Sequence, residues 1–173
     1  MDSVQEQFEK GIGARFFEWF NSETGTCFSF TGRADRAPDL VYSSNGKELL
    51  VEVTAAYYDS AHAEFLWKST RGAKDAPSGW DGINPDKSLA AAVFHRVAKK
   101  SEKRYGNNTV LLIEVPPCLT TAEALSALLR LQPVHGGTPF AGIYVVGRFP
   151  ITTRSRGGYR VIPLKELSRE YGD

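Results

Sequence analysis

Two carboxylates stand on either side of a turn: Asp39, in Pro38-Asp39, and Glu52, in Glu52-Val53-Thr54. Between them run Leu40 to Ser44, the pair Asn45-Gly46, and Lys47 to Val51. Asn-Gly flanked by apolar runs is the strongest short hairpin signal. Antiparallel pairing about that turn sets position 39 opposite 52, because 39 and 52 sum to 91, as do 45 and 46. Directly opposed side chains share a face, with Cβ atoms about 5 Å apart. Two carboxylates that close repel, and a cation between them offsets the cost. Hard oxygen ligands select Mg²⁺ or Mn²⁺ over zinc. The competing reading makes Asp39 a strand-start residue and Glu52 a solvent-facing edge residue. Against it, Glu52 lies inside Leu49-Leu50-Val51-Glu52-Val53, whose other members should be buried. An acid within a buried run needs a partner.

The elements that must position these acids can be read from periodicity. Val4, Phe8, Ile12, Phe16, Trp19 and Phe20 recur at helical spacing and predict a helix over 3–21, with Ser3 and Glu6 as its capping box. Glu9 falls on the flank of its apolar face, and Glu18 points nearly the opposite way. Short strands are expected at 26–30 and 39–44, with a returning strand over 47–54. On that last strand Leu50, Glu52 and Thr54 share one face, and Leu49, Val51 and Val53 the other. Residues 59–69 suggest a helix, and 70–87, rich in Gly, Pro, Asp and Lys, a long loop of the kind usually tied to function or motion.

A second confident helix spans 88–105, with Leu89, Val93 and Val97 as its buried stripe, Phe94 and Tyr105 at one edge, and Gly106 as its stop. Thr109 to Val115 is nearly continuous apolar and predicts a central strand. A helix at 120–131, strands at 141–146 and 159–162, and a terminal helix at 164–171 complete the chain. A meander followed by a helical crossover predicts an α/β fold: a mixed β-sheet flanked by helices on both faces. At 173 residues, one domain is expected, with an inserted helix and loop segment at about 55–87.

A helix with an inward Glu, then Pro-Asp, a hairpin, Glu-x-(Lys), a helix and a buried strand resembles the PD-(D/E)XK nuclease superfamily, over roughly residues 4–115. The resemblance implies a restriction-endonuclease-like core and a metal-dependent endonuclease activity. It implies Mg²⁺ or Mn²⁺ held by Asp39, Glu52, the backbone of Val53, and Glu9. Thr54 stands where the family's motif has lysine, so the variant is Glu-x-Thr. Threonine carries no positive charge. The family is known to move this lysine onto a neighbouring helix. On a helical wheel Lys100 lies about 20° from Val93 and Leu89, within the buried stripe, whereas Lys99 and Lys103 point outward. Lys100 is therefore the expected catalytic cation, beside Asp39, Glu52 and Thr54, and Arg104, in the same stripe, an expected phosphate ligand. The competing reading has Lys100 snorkelling at the border of the core.

Charge is unevenly placed. Residues 1–64 carry five Lys/Arg against eleven Asp/Glu, residues 65–105 nine against four, and residues 106–173 seven against five. Acids early and bases late suit a protein that holds cations with one part and a polyanion with another, although solvated helix faces give the same pattern. Lys68, Arg71 and Lys74 flank the long loop, and Arg154 and Arg156 belong to a basic, glycine-containing run. Such arms track phosphates, or are ordinary solvated loops.

Cys27 and Cys118 are too few and too far apart for a disulfide framework or a zinc site, and are expected as buried thiols in a reducing compartment. His62, His95 and His135 share no ligand spacing. The polar N-terminus predicts no signal peptide, and no apolar run suits a membrane span, so a cytoplasmic protein is expected. The sequence thus reads as a metal-dependent nuclease acting on nucleic acid, with DNA favoured over RNA and a homodimer left open. The alternatives are an inactive member of the same fold that binds nucleic acid or protein, and a small-molecule hydrolase whose pocket is lined from Tyr57 to Trp80.

Overall fold

The structure, a computed structural model, describes residues 3–34, 37–57, 84–117, 119–132, 134, 137–150 and 158–171. The expected helix at 59–69, most of the long loop, and Cys118 lie outside the described residues.

Helix α1 (Val4–Thr24) starts as its sequence predicts. The Ser3 hydroxyl accepts from the Glu6 amide at 3.2 Å, and the Glu6 carboxylate accepts from the Ser3 amide at 2.5 Å. It ends at Gly25, in the left-handed region at φ 70°. Strand β1 (Ser29–Gly32) begins later than expected. The Asn21 side chain accepts from the Phe28 amide and donates to the Phe28 carbonyl, so this stretch closes the end of α1 before strand pairing starts. Cys27, within it, is exposed rather than buried.

Strands β2 (Leu40–Ser44) and β3 (Lys47–Ala55) form the predicted hairpin. Asn45 and Gly46 both take positive φ, at 49° and 77°, as a tight two-residue turn requires. The register runs from Leu40 opposite Val51 to Ser44 opposite Lys47, which is the pairing that aligns 39 with 52. Helix α2 (Pro85–Ser101) opens with proline in its first turn, where the missing N–H costs nothing. Strand β4 (Thr109–Val115), helix α3 (Ala122–Arg130), and strands β5 (Gly142–Phe149) and β6 (Gly158–Lys165) follow.

The sheet is six-stranded, in the order β1-β2-β3-β4-β5-β6. It is mixed: β3, β4 and β5 run parallel, and the outer pairings are antiparallel. Alternate strand residues divide between two apolar clusters. Leu49, Val51, Val53, Val110 and Leu112 pack with Ile12, Phe16, Phe17 and Phe20 of α1. Leu111, Ile113 and Val115 pack with Leu89, Val93 and Val97 of α2 and with Leu125 and Leu129 of α3. Glu114 interrupts the apolar run of β4, and burial pushes its carboxyl up to about 7 against the opposing charge of Arg15.

Close seating of α1 depends on Gly13. A Cβ there would stand 2.7 Å from the Tyr42 hydroxyl and 2.8 Å from Leu40 Cδ1. One turn on, Phe17 stacks on Tyr42 with ring centroids 3.9 Å apart.

Two expectations at helix ends need correction. Helix α2 stops at Ser101, so Tyr105 and Gly106 lie beyond it. The predicted terminal helix over 164–171 is instead the end of β6, through Lys165, and a short 3₁₀ turn at Arg169–Tyr171. Pro163 lies within β6, an edge strand, where a missing N–H is tolerated. Among the described residues, no helix is long and apolar enough to cross a membrane.

Candidate active site

The hairpin and α2 bring Asp39, Glu52 and Lys100 together. Glu52 alternates with Val51 and Val53 on β3, so its side chain leaves the strand on the face opposite the α1 cluster. There Lys100 Nζ donates to Glu52 Oε1 at 2.5 Å. The Glu52 side chain is 3% exposed and that of Lys100 19%. Glu52 Oε2 is buried and is not reached by Lys100.

Asp39 is fixed across the hairpin: its Oδ2 accepts from the Val53 amide at 2.8 Å. Burial raises its carboxyl to about 6, and the charges of Glu52 and Glu9 add to the rise, against the Val53 N–H and Lys100. The Tyr105 hydroxyl is buried beside Glu52, and burial, together with the charge of Glu52 and a hydrogen bond to it, pushes its pKa up.

Glu9 projects from α1 into the same region and is buried. Its Oε2 accepts from Arg33 Nη2 at 2.8 Å, and its Oε1 from Gln5 Nε2 at 2.8 Å. Arg33 also lies 3.8 Å from Glu6, while its Nη1 is buried without a hydrogen-bond partner among the described residues. Burial works to lower the Arg33 pKa, but the Glu9 hydrogen bond and the charges of Glu9, Glu6 and Asp39 raise it on balance. Beside these groups opens a cleft of about 410 Å³, lined by Glu9, Thr54, Lys100 and Arg96 among others.

These residues meet several requirements of a hard cation. Two carboxylates stand together, Glu52 buried and Asp39 half-buried; burial first and its neighbours' charge second raise Asp39, and Glu52 keeps one oxygen that Lys100 does not reach. Asp39 and Glu52 are the residues that would hold Mg²⁺ or Mn²⁺. The wider ligand set is not assembled. Glu9 is committed to Arg33 and Gln5, and Val53 enters the site through its amide. Among the described residues, no group of three or more His, Cys, Asp or Glu side chains is disposed to hold a metal ion.

Thr54 lines the cleft, between Val53 and Ala55 at the end of β3. Lys99 is exposed, as the helical wheel predicts. Arg104 is displaced from its expected place: α2 ends before it, so it leaves the buried stripe and is exposed. Lys68, Arg71, Lys74, Arg154 and Arg156 lie outside the described residues. Sequence reasoning missed three groups. Arg96 was legible, since it precedes Lys100 by four residues on one helix and so shares its face. Arg33 and Tyr105 carried no such signal, because both reach the site from irregular segments.

No protein-family model matches the chain, and no match is found among the curated proteins or the solved structures.

Proposed function

We propose that the protein is a metal-dependent nuclease that hydrolyses phosphodiester bonds, in DNA rather than RNA, on a restriction-endonuclease-like core. The observation that carries this reading is the reach of Lys100 from α2 to Glu52, beside Asp39. Thr54 leaves the motif without its lysine, and a lysine from another element stands where that charge is wanted. The order of elements from α1 to β4 supports the reading as well. So does the division of strand residues between two apolar clusters, which suits a sheet covered by helices on both faces.

In this reading Asp39 and Glu52 hold the cation, which when bound supplies Lewis-acid polarisation of the phosphate and a more acidic water. Lys100, held by Glu52 in a site largely closed to solvent, stabilises negative charge gathering on the phosphoryl oxygens. The Thr54 hydroxyl hydrogen-bonds water or a phosphate oxygen. Asp39, clamped by the Val53 amide, keeps its carboxylate in one orientation.

A second reading, an inactive nucleic-acid- or protein-binding module of the same fold, is favoured by one observation. The Glu52 and Glu9 carboxylates are neutralised by Lys100 and Arg33 without any added ion. Incubation of purified protein with circular and linear DNA, with Mn²⁺ or with EDTA, separates the two. Cleavage with Mn²⁺ that is lost in Asp39→Asn and Glu52→Gln supports the nuclease. Nucleic-acid binding without cleavage in any divalent metal supports the module.

A further inference from the structure

The cleft beside Thr54 has two unlike walls. From α1 come Val4, 77% exposed, and Phe8, partly buried against the α1 cluster. From α2 come Arg96 and Lys100, one turn apart on one helix face. Lys100 is engaged by Glu52, whereas Arg96 forms no ion pair with another described residue. A guanidinium free of internal partners suits a phosphate, to which it can present two parallel donors.

The apolar wall narrows the substrate. An intact duplex turns its phosphates and sugars outward and keeps its base faces stacked within, so its backbone offers Phe8 nothing apolar to cover. An unpaired base exposes a π-face, and aromatic side chains bind such faces whatever the base. The volume is bounded by α1 on one side and α2 on the other, with β3 residues between.

We infer that this cleft takes one unpaired nucleotide, its phosphate on Arg96 and its base against Phe8. The inference rests on the nuclease reading above and adds a substrate class to it: single-stranded nucleic acid, or a strand end frayed from a duplex. Arg96 and Phe8 bind and orient that nucleotide; neither takes part in bond breaking.

The test is fluorescence anisotropy in EDTA buffer, with a labelled DNA strand of about 12 nucleotides, within the range of single-strand site sizes, and with the same sequence as a blunt duplex. The wild-type chain should bind the single strand about tenfold or more tightly than the duplex. Phe8→Leu keeps an apolar side chain and removes the ring. It should weaken single-strand binding about tenfold, as loss of one stacking platform does, with little change for the duplex. Arg96→Ala should lower the salt slope for the single strand by about 0.7, one phosphate contact. It keeps the test decisive should Phe8→Leu fail to fold. Equal binding of both probes, unchanged by either substitution, overturns the inference while leaving Mn²⁺-dependent cleavage free to stand. Failure to bind either probe overturns it as well, and Mn²⁺-dependent cleavage, measured separately, then decides whether the nuclease reading falls with it.

Discussion

Lys100 and Glu52 are 48 residues apart in the chain and 2.5 Å apart in space. The lysine reaches the strand from α2, so the charge beside Glu52 depends on helix docking rather than on the strand's own sequence. That dependence shapes what each substitution should do.

Breaking the pair from its two ends should differ. Lys100→Ala leaves the more deeply buried Glu52 carboxylate without its cation and should cost about 3 kcal/mol. Glu52→Ala leaves a lysine that can still turn toward solvent, and should cost less, about 1–2 kcal/mol. The double change Glu52→Leu with Lys100→Met should return close to wild-type stability or exceed it. Urea unfolding of the four chains measures this. A single Lys100→Ala change that costs nothing would mean the pair is not formed in solution.

Turnover should depend on Lys100 and not on Lys99. Lys100→Met should reduce cleavage on the order of a hundredfold, the effect of one lost transition-state donor. Lys99→Ala, on the exposed face, should change it little. In the Lys100→Ala background, Thr54→Lys should recover part of the rate by supplying the charge from the strand. Equal small effects at both lysines would leave the binding module as the better reading.

Addition of Mn²⁺ at pH 7.5 should raise the melting temperature, and Asp39→Asn should remove the rise. The same substitution should stabilise the metal-free chain at that pH. The Asp39 carboxyl is raised to about 6 in the fold, from 3.8, so its favourable contribution is complete below about pH 4 and is lost as pH climbs through 6. Asp39→Asn removes that loss. A metal-free Asp39→Asn chain less stable than wild type at pH 7.5 would show that the Val53 hydrogen bond outweighs the cost of burying the charge.

Glu114 should give a second, separable pH dependence. Its folded value of about 7 exceeds the ordinary 4.5, so stability is fully present below about pH 4.5 and falls as pH rises through 7. Glu114→Gln should flatten the profile between pH 5 and pH 8 and be the more stable chain at pH 8. Urea midpoints at the two pH values check it, and parallel profiles for wild type and variant would refute it.

Arg33→Ala should leave Glu9, 4% exposed, with only the neutral Gln5 as partner, at a cost of about 2 kcal/mol. Glu9→Gln with Arg33 intact should cost less, since Arg33 is 29% exposed and can turn to water. Thermal melts of the two variants rank them, and the reverse order would place the strain on the arginine.

The parts of the fold legible in the sequence were those fixed by local chemistry. Asn45-Gly46 set the hairpin register, and the register put Asp39 beside Glu52. The nearly continuous apolar run from Thr109 to Val115 gave β4 its limits without error. Helical spacing placed Lys100 on the inner face of α2. It failed four residues later, because periodicity carries no information about where a helix stops: Arg104 fits the wheel but not the chain, which leaves the helix after Ser101. Arg33 was illegible for a different reason. Its partner Glu9 lies 24 residues earlier, and nothing in a loop's composition says which helix it will meet.

Gly13 carries no functional group, yet it sets the geometry of several that do. It lies one helical turn beyond Glu9 and rests against Tyr42 and Leu40 through a surface with no side chain. An alanine methyl would act as a wedge between α1 and the hairpin, and the helix would pivot away from it. Glu9 and Phe8, both on the near end of that lever, would swing off the site together, and Arg33 would follow its partner. A chain altered only at Gly13 would keep every acid, base and ring described above, correctly ordered, and still have Glu9 and Phe8 displaced from the cleft they line.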